Sequence, residues 1–451
     1  MLETLVLAVA LASPPKLVVV PRLDLDEVAT RAAVGWLVPG AGPETSRELA
    51  VASLERGAVE NSLRGGIPEG ERIARVRFAD AVPDEPGVVV MELPADGRRR
   101  NDRRYPIALI GARGLLGSEA TRIDGLVAVA DVARGDLRTT PSNDPVAELE
   151  ELDRTIEDNG TARLPASLLA AATVVALAFL RPAGAVSALA TGALANLLLG
   201  VLGISAPWLT IPLIALGTLA GAWLRPSARL LVGTVAAYGV AMAIDASWVA
   251  LSPLGPTQNA RFYGISNLLE TMLLPVALAG GYLLWRRLGA VGLALAAAVA
   301  LVTVAGSRFG ADAGGAVVLL AGFAVLLVTL LPRRQALVAA GALAAVTAVA
   351  LVAGPATHLG TADLPGDVWD RMTLSWRRAT DGWAVGIVTA AAVTVLAVLV
   401  ARGPRRPLPL AMAAAILVSL VVNDSPQDVA LGGLVGWLAL ARWDPGPDAR
   451  T

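Results

Sequence analysis

The sequence predicts an α-helical polytopic membrane protein of about eleven transmembrane helices, preceded by a small extracytoplasmic α/β domain. Three observations carry this. The chain has 451 residues, 55% of them hydrophobic and 17% charged, with a mean hydropathy of +0.62. From Leu164 onward, apolar runs of roughly 17 to 22 residues recur with short breaks, the length a bilayer-spanning helix requires. Before that point most of the acidic residues alternate with apolar ones, as in an ordinary water-facing domain.

In chain order, residues 1–15, MLETLVLAVALASPP, fit a signal-peptide core and cleavage site, although Glu3 stands where a basic leader is expected. The alternative for this run is a first strand or buried helix of the domain that follows. Residues 16–142 then alternate strand-like runs (KLVVVP, GVVVMEL, YPIALIG, GLVAVADV) with helix-like ones such as TSRELAVASLERGAVENSL, which argues for an α/β domain. Asp24, Asp26, Thr45 and Ser46 are the polar residues at its strand ends, and helix capping is the expected role for them. Residues 143–163 are acidic and predict a solvated linker helix. Residues 164–443 form the transmembrane domain, with spans centred near 172, 193, 215, 240, 276, 297, 322, 345, 392, 415 and 435, and 444–451 a cytoplasmic tail.

The connections between spans alternate in character. One set carries Arg181, Arg225, Arg229, Arg286, Arg287, Arg333, Arg334, Arg402, Arg405, Arg406 and Arg442 with no acidic residue between span ends. The other set holds the loop at Arg261, Ser307 to Asp312, a long connection around His358, and Asn423 to Asp428. The positive-inside rule puts the first set in the cytoplasm, so the α/β domain and the polar loops are expected outside and the C-terminus inside.

The outer loops pool the residues able to do chemistry: Arg261, Tyr263, Asn267 and Glu270; Arg308 and Asp312; His358, Arg371, Trp376, Arg377 and Arg378; Asn423 and Asp424. A charge at a helix centre costs about 2.5 to 3.5 kcal/mol in a bilayer, so Arg261, Glu270 and the Asp245 of AIDASW call for a reason. Guanidinium groups suit phosphate oxygens, and GADAGG at the entry of a span offers backbone N–H groups to an anion. Each also has a plainer reading: Arg308 and Asp312 pair one turn apart, Arg377 and Arg378 lie on headgroups, and His358 is a loop histidine. The absence of Cys and the single His exclude disulfides, thiolate nucleophiles and Cys- or His-rich metal clusters, and no metal or cofactor is expected. Basic residues are spread one to three per loop, which argues against nucleic acid as a partner.

NARFYGISNLL entering one span, VAGSRFGADAGG two spans on, and RMTLSWRRA in a long outer loop together resemble the O-antigen ligase and polymerase superfamily of membrane glycosyltransferases. The resemblance covers roughly 259–380. It implies transfer of a glycan from a polyprenyl-pyrophosphate carrier at the outer membrane face, without metal, with Arg261 and Arg308 holding the pyrophosphate and Arg371 assisting. In that family the His follows the Arg-to-Trp motif, whereas His358 precedes it, so His358 and Glu270 are both candidates for the base. Tyr263, Asn267, Asp312, Asn423 and Asp424 complete the expected substrate site. Residues 111–132, GARGLLGSEATRIDGLVAVADV, resemble the last strands of alkaline-phosphatase-like domains, and the missing His implies a degenerate, non-catalytic version. Two other readings use the same residues: a transporter or flippase for an anionic lipid or solute, and a non-catalytic scaffold for envelope enzymes. The expected partners are the lipid bilayer, a polyprenyl-linked glycan and envelope enzymes.

Overall fold

A computed structural model describes residues 7–8, 15–64, 71–256, 262–306, 309–310, 313–352, 373–380, 382–423 and 425–445. The chain divides into two compact units, one of residues 1–157 with 256–263, the other of 158–255 with 264–451.

The first unit is an α/β sheet. Its strands are β1 (Leu7–Ala8), β2 (Lys16–Val19), β3 (Ala32–Val38), β4 (Glu44–Thr45), β5 (Val76–Phe78), β6 (Val88–Met91), β7 (Arg99–Arg100), β8 (Tyr105–Ile110), β9 (Gly114–Ser118), β10 (Leu126–Ala128) and β11 (Leu137–Thr140). The main sheet runs β1-β11-β9-β3-β8-β6-β2-β5, with β10 parallel to β3, while β4 and β7 form a separate ribbon. Leu7 and Ala8, from the run expected to be a signal peptide, pair antiparallel with Thr139 and Arg138; the rest of 1–14 lies outside the described residues.

Both faces of this sheet are covered. Val89, Met91, Ile107 and Leu109 pack on one side with Ala50 and Leu54 of helix α2 (Arg47–Arg56) and Val129 and Val132 of α3 (Val129–Arg134). Val88, Val90, Ala108 and Ile110 pack on the other with Leu25 and Val28 of α1 (Leu25–Val28) and with Leu149. Burial on both faces is why these strands read as unbroken apolar runs. Asp24 caps α1, its carboxylate accepting from the N–H groups of Asp26 and Glu27, and Ser46 caps α2 by accepting from Leu49 N at 3.2 Å. Those polar residues are thus fold punctuation.

The second unit is helical. Helix α4 (Pro145–Leu180) joins the expected linker helix and first span into one continuous 36-residue helix that runs through Pro165. It is followed by α5 (Pro182–Val201), α6 (Pro207–Ala220), α7 (Ala228–Ile244), the short α8 (Ser247–Ala250), α9 (Asn267–Leu288), α10 (Ala290–Ala305), α11 (Ala313–Leu330), α12 (Arg333–Val352), α13 (Trp383–Arg402), α14 (Pro407–Val422) and α15 (Pro426–Arg442). Residues 373–380 add two helical turns before α13. Proline begins α5, α6, α14 and α15, where its missing N–H costs no hydrogen bond.

Among the described residues, four helices are long and apolar enough to cross a membrane: α4, α5, α9 and α13. Others of 16 to 18 residues, such as α7, α10, α11 and α14, are apolar but shorter. Each of the eleven expected span centres falls within a helix. The unit also exposes large apolar side chains, among them Leu164, Leu168, Phe179, Leu180, Leu216 and Trp208, a surface that water penalises and hydrocarbon does not. Asp245, expected inside a span, instead ends α7 as an exposed residue that accepts from Ser247 N at 2.8 Å.

Candidate functional site

The site grows from the start of α9. Ser266 caps this helix by accepting from Leu269 N, and its hydroxyl donates to Leu254 O at 2.6 Å. That ties α9 to the 251–255 turn. Side chains from two other helices hold the same turn: Asn196 of α5 accepts from Leu254 N at 2.8 Å and donates to Ser252 Oγ at 2.9 Å, while Asn159 and Arg163 of α4 donate to the carbonyls of Leu251 and Gly255. Tyr238 of α7 accepts from Asn196 and donates to Ala193 O. An irregular turn buried among apolar helices must find partners for its backbone polar groups, and here side chains supply them.

One turn into α9 lies Glu270, 2% exposed. Asn423, which follows α14 and is 4% exposed, donates through Nδ2 to Glu270 Oε2 at 2.9 Å and to Ser419 Oγ at 2.8 Å. Both amide hydrogens are used, so the amide orientation is fixed and the carboxylate has a set position. The turn after α10 joins the same end. Gly264 has φ +82°, and a Cβ there would strike the carbonyl oxygen of Gly310, so only glycine lets the two backbones meet. The helical turns at 373–380 arrive as well, with Ser375 Oγ donating to Leu420 O at 3.3 Å near the end of α14.

The start of α9, Gly310, the helical turns at 373–380 and Asn423 at the end of α14 therefore share one end of the helical unit. The opposite end gathers arginines: Arg286 donates to Pro445 O at 2.7 Å, and Arg406 bonds Ala441 O and pairs with Asp444 at 3.3 Å.

Of the residues the sequence nominated, the structure brings Glu270 and Asn423 into direct contact and places Asn267 in the same first turn as Glu270. Tyr263 groups with the α/β unit, buried beneath the guanidinium of Arg122 at 4.0 Å. Arg261, Arg308, Asp312, His358, Arg371 and Asp424 lie outside the described residues. Trp376 and Arg377 are exposed, whereas Arg378 is half-buried on the face of Ser375.

Sequence reading missed Asn159, Arg163, Asn196 and Ser419. Asn159 and Arg163 were assigned to a solvated linker, yet they share a stripe of α4 with the buried Ala162, Ala166 and Ala170. That i, i+4 spacing of polar groups on an alanine face was the signal available.

In the α/β unit, the segment resembling a phosphatase domain folds as β9, β10 and α3 around Ser118, Thr121 and Asp131. Ser118 Oγ accepts from Ala128 N at 3.0 Å, Thr121 donates to Leu126 O, and Asp131 Oδ2 accepts from Ala120 N at 2.7 Å. Burial pushes the Asp131 carboxyl above its ordinary value against the Ala120 and Ser118 hydrogen bonds. These groups close a turn on themselves, which is a structural arrangement. Among the described residues, no group of His, Asp and Glu side chains is placed to hold a metal ion.

No family model, curated protein or solved structure matches this chain.

Proposed function

We propose that the chain is a multi-pass protein of the cytoplasmic membrane that transfers a glycan from a polyprenyl-pyrophosphate carrier at the outer face. The observation that carries this reading is the buried Glu270–Asn423 pair at the start of α9. A carboxylate positioned by an amide inside an apolar unit is suited to accept the proton of an acceptor hydroxyl. Arg261 and Arg308 belong to segments adjoining the Gly264–Gly310 contact, and in this reading they neutralise the departing pyrophosphate. Arg371 assists from the segment preceding Ser375, and His358 is the second candidate for the base.

The positive-inside pattern supports eleven spans, with the α/β unit outside and the arginine-rich end in the cytoplasm. The α/β unit then serves recognition of the acceptor or of envelope enzymes, because its polar turns close on themselves.

The test is transfer and binding in purified protein. Undecaprenyl pyrophosphate is expected to bind wild type and to be lost on Arg261→Ala or Arg308→Ala, while Glu270→Gln retains binding and lowers transfer by about 10²- to 10⁴-fold. Full transfer in all three variants would overturn the reading. Binding and movement of the lipid across the bilayer without transfer would favour a flippase.

A further inference from the structure

We infer that the arginine-rich end of the helical unit carries a docking site for an anionic phospholipid, formed by Arg181, Arg225 and Arg442 around exposed apolar side chains. The inference goes beyond the reading above and makes no use of glycan transfer; it needs only that the helical unit stand in a bilayer.

Three stretches of chain meet here. The start of α5 packs directly on residues 221–224, where Ser187 Oγ donates to Leu224 O at 3.1 Å. A Cβ at Gly184 would lie 3.0 Å from Ala222 Cα, and one at Gly221 would lie 2.3 Å from Ala188 Cα, so glycine permits the close approach. Arg181 immediately precedes α5 and Arg225 immediately follows Leu224, so this contact sets the two residues at one end of the unit. The end of α15 joins them: the guanidinium of Arg442 lies over the ring of Phe179, 4.6 Å from its centroid, and Phe179 stands just before Arg181 in the chain.

Charge here is one-sided. Arg181, Arg225 and Arg442 are exposed, and none makes an ion pair among the described residues. No Asp or Glu occurs between residues 159 and 244, and Asp444, the acid nearest Arg442 in sequence, pairs with Arg406 at 3.3 Å. Phe179, Leu180, Trp223 and Leu224 stand exposed beside these charges. A phospholipid matches both halves of the patch: its phosphate oxygens accept from forked guanidiniums, and its acyl chains cover the apolar side chains. An exposed indole beside arginines is also the composition found where a helix meets the headgroup layer. Choline-headed lipids supply the same phosphate and chains without net charge, so the arginines select an anionic headgroup.

The experiment titrates full-length protein in detergent micelles with phosphatidylglycerol or phosphatidylcholine and reads the bound lipid by native mass spectrometry. Phosphatidylglycerol is expected to bind about tenfold more tightly than phosphatidylcholine, and Arg181→Gln and Arg225→Gln are each expected to weaken it about fivefold. Neither guanidinium bonds another side chain among the described residues, so neither change disturbs packing. Arg333→Gln, exposed at the start of α12, is expected to bind as wild type. In phosphatidylcholine vesicles, brominated phosphatidylglycerol is expected to quench a larger fraction of the tryptophan emission of wild type than of Trp223→Phe, which places the lipid at that indole.

Binding of the two lipids within about twofold of each other, or unchanged binding in both Arg181→Gln and Arg225→Gln, overturns the inference. So does an equal loss in Arg333→Gln, or equal quenching of wild type and Trp223→Phe. None of these results bears on glycan transfer, which the Glu270→Gln assay decides separately.

Discussion

Asn423 is the residue whose loss has the plainest consequence. Its amide hydrogens go to Glu270 and Ser419, so Asn423→Ala removes a donor from a buried carboxylate. A destabilisation of about 1 to 3 kcal/mol is expected, read as a lower melting temperature in detergent. Asn423→Asp is expected to be worse, because it sets a second carboxylate against the first. Asp131 gives the opposite sign. Its native pKa is raised by burial, so the folded state favours the proton, and the stability from this group is present at low pH. It is lost as pH climbs from about 4, the unfolded carboxylate's range, through the raised native value. Asp131→Asn is therefore expected to protect the β9–β11 amides from hydrogen exchange better than wild type at pH 8, with the gain shrinking toward pH 4. Glu270 stands out in the sequence because a carboxylate within an apolar run is costly, and Asn423 because it sits in a polar break between apolar runs. Their partnership was not legible: 152 intervening residues separate them, and only the packing of α9, α14 and α15 brings them together.

At the level of elements, the start of α9 depends on backbone proximity. Gly264→Ala is expected to cost about 2 kcal/mol or more, since a left-handed φ is added to a clash with the Gly310 carbonyl. Gly203, with φ +65° and nothing within 4 Å of its would-be Cβ, is the matched comparison, and Gly203→Ala is expected to cost only about 1 kcal/mol. Thermal unfolding of the two variants measures the difference, and equal losses would show that the close approach adds nothing. Apolar run length was enough to place the helices, because a helix in hydrocarbon satisfies its own backbone. It failed at α4, where charge composition suggested two elements although proline and glycine within 158–166 did not interrupt the helix. Composition reports solvent exposure, and helix continuity depends on what packs along the buried stripe.

For the whole molecule, the natural absence of Cys makes the orientation directly measurable. A single Cys replacing exposed Asn143 is expected to react with an impermeant maleimide on intact cells, and one replacing exposed Arg333 only after permeabilisation. Labelling in the reverse sense would invert the topology. The α/β class of the first unit was readable from alternating apolar runs, but its strand order was not, since β3 pairs with strands distant in sequence through contacts that local pattern does not encode.

Helix α6 carries a consequence for the surrounding lipid. Trp208 at its start and Trp223 just beyond its end are 74% and 68% exposed. At 1.5 Å per residue the two indoles stand about 23 Å apart along the axis, against a hydrocarbon thickness of about 30 Å. In the proposed membrane reading, α6, α7, α10 and α14 are short beside α5, α9 and α13, which are long enough to cross a full-thickness bilayer. In that reading the lipid is expected to thin locally beside the short helices, and melting temperature is expected to be higher in short-chain than in long-chain vesicles.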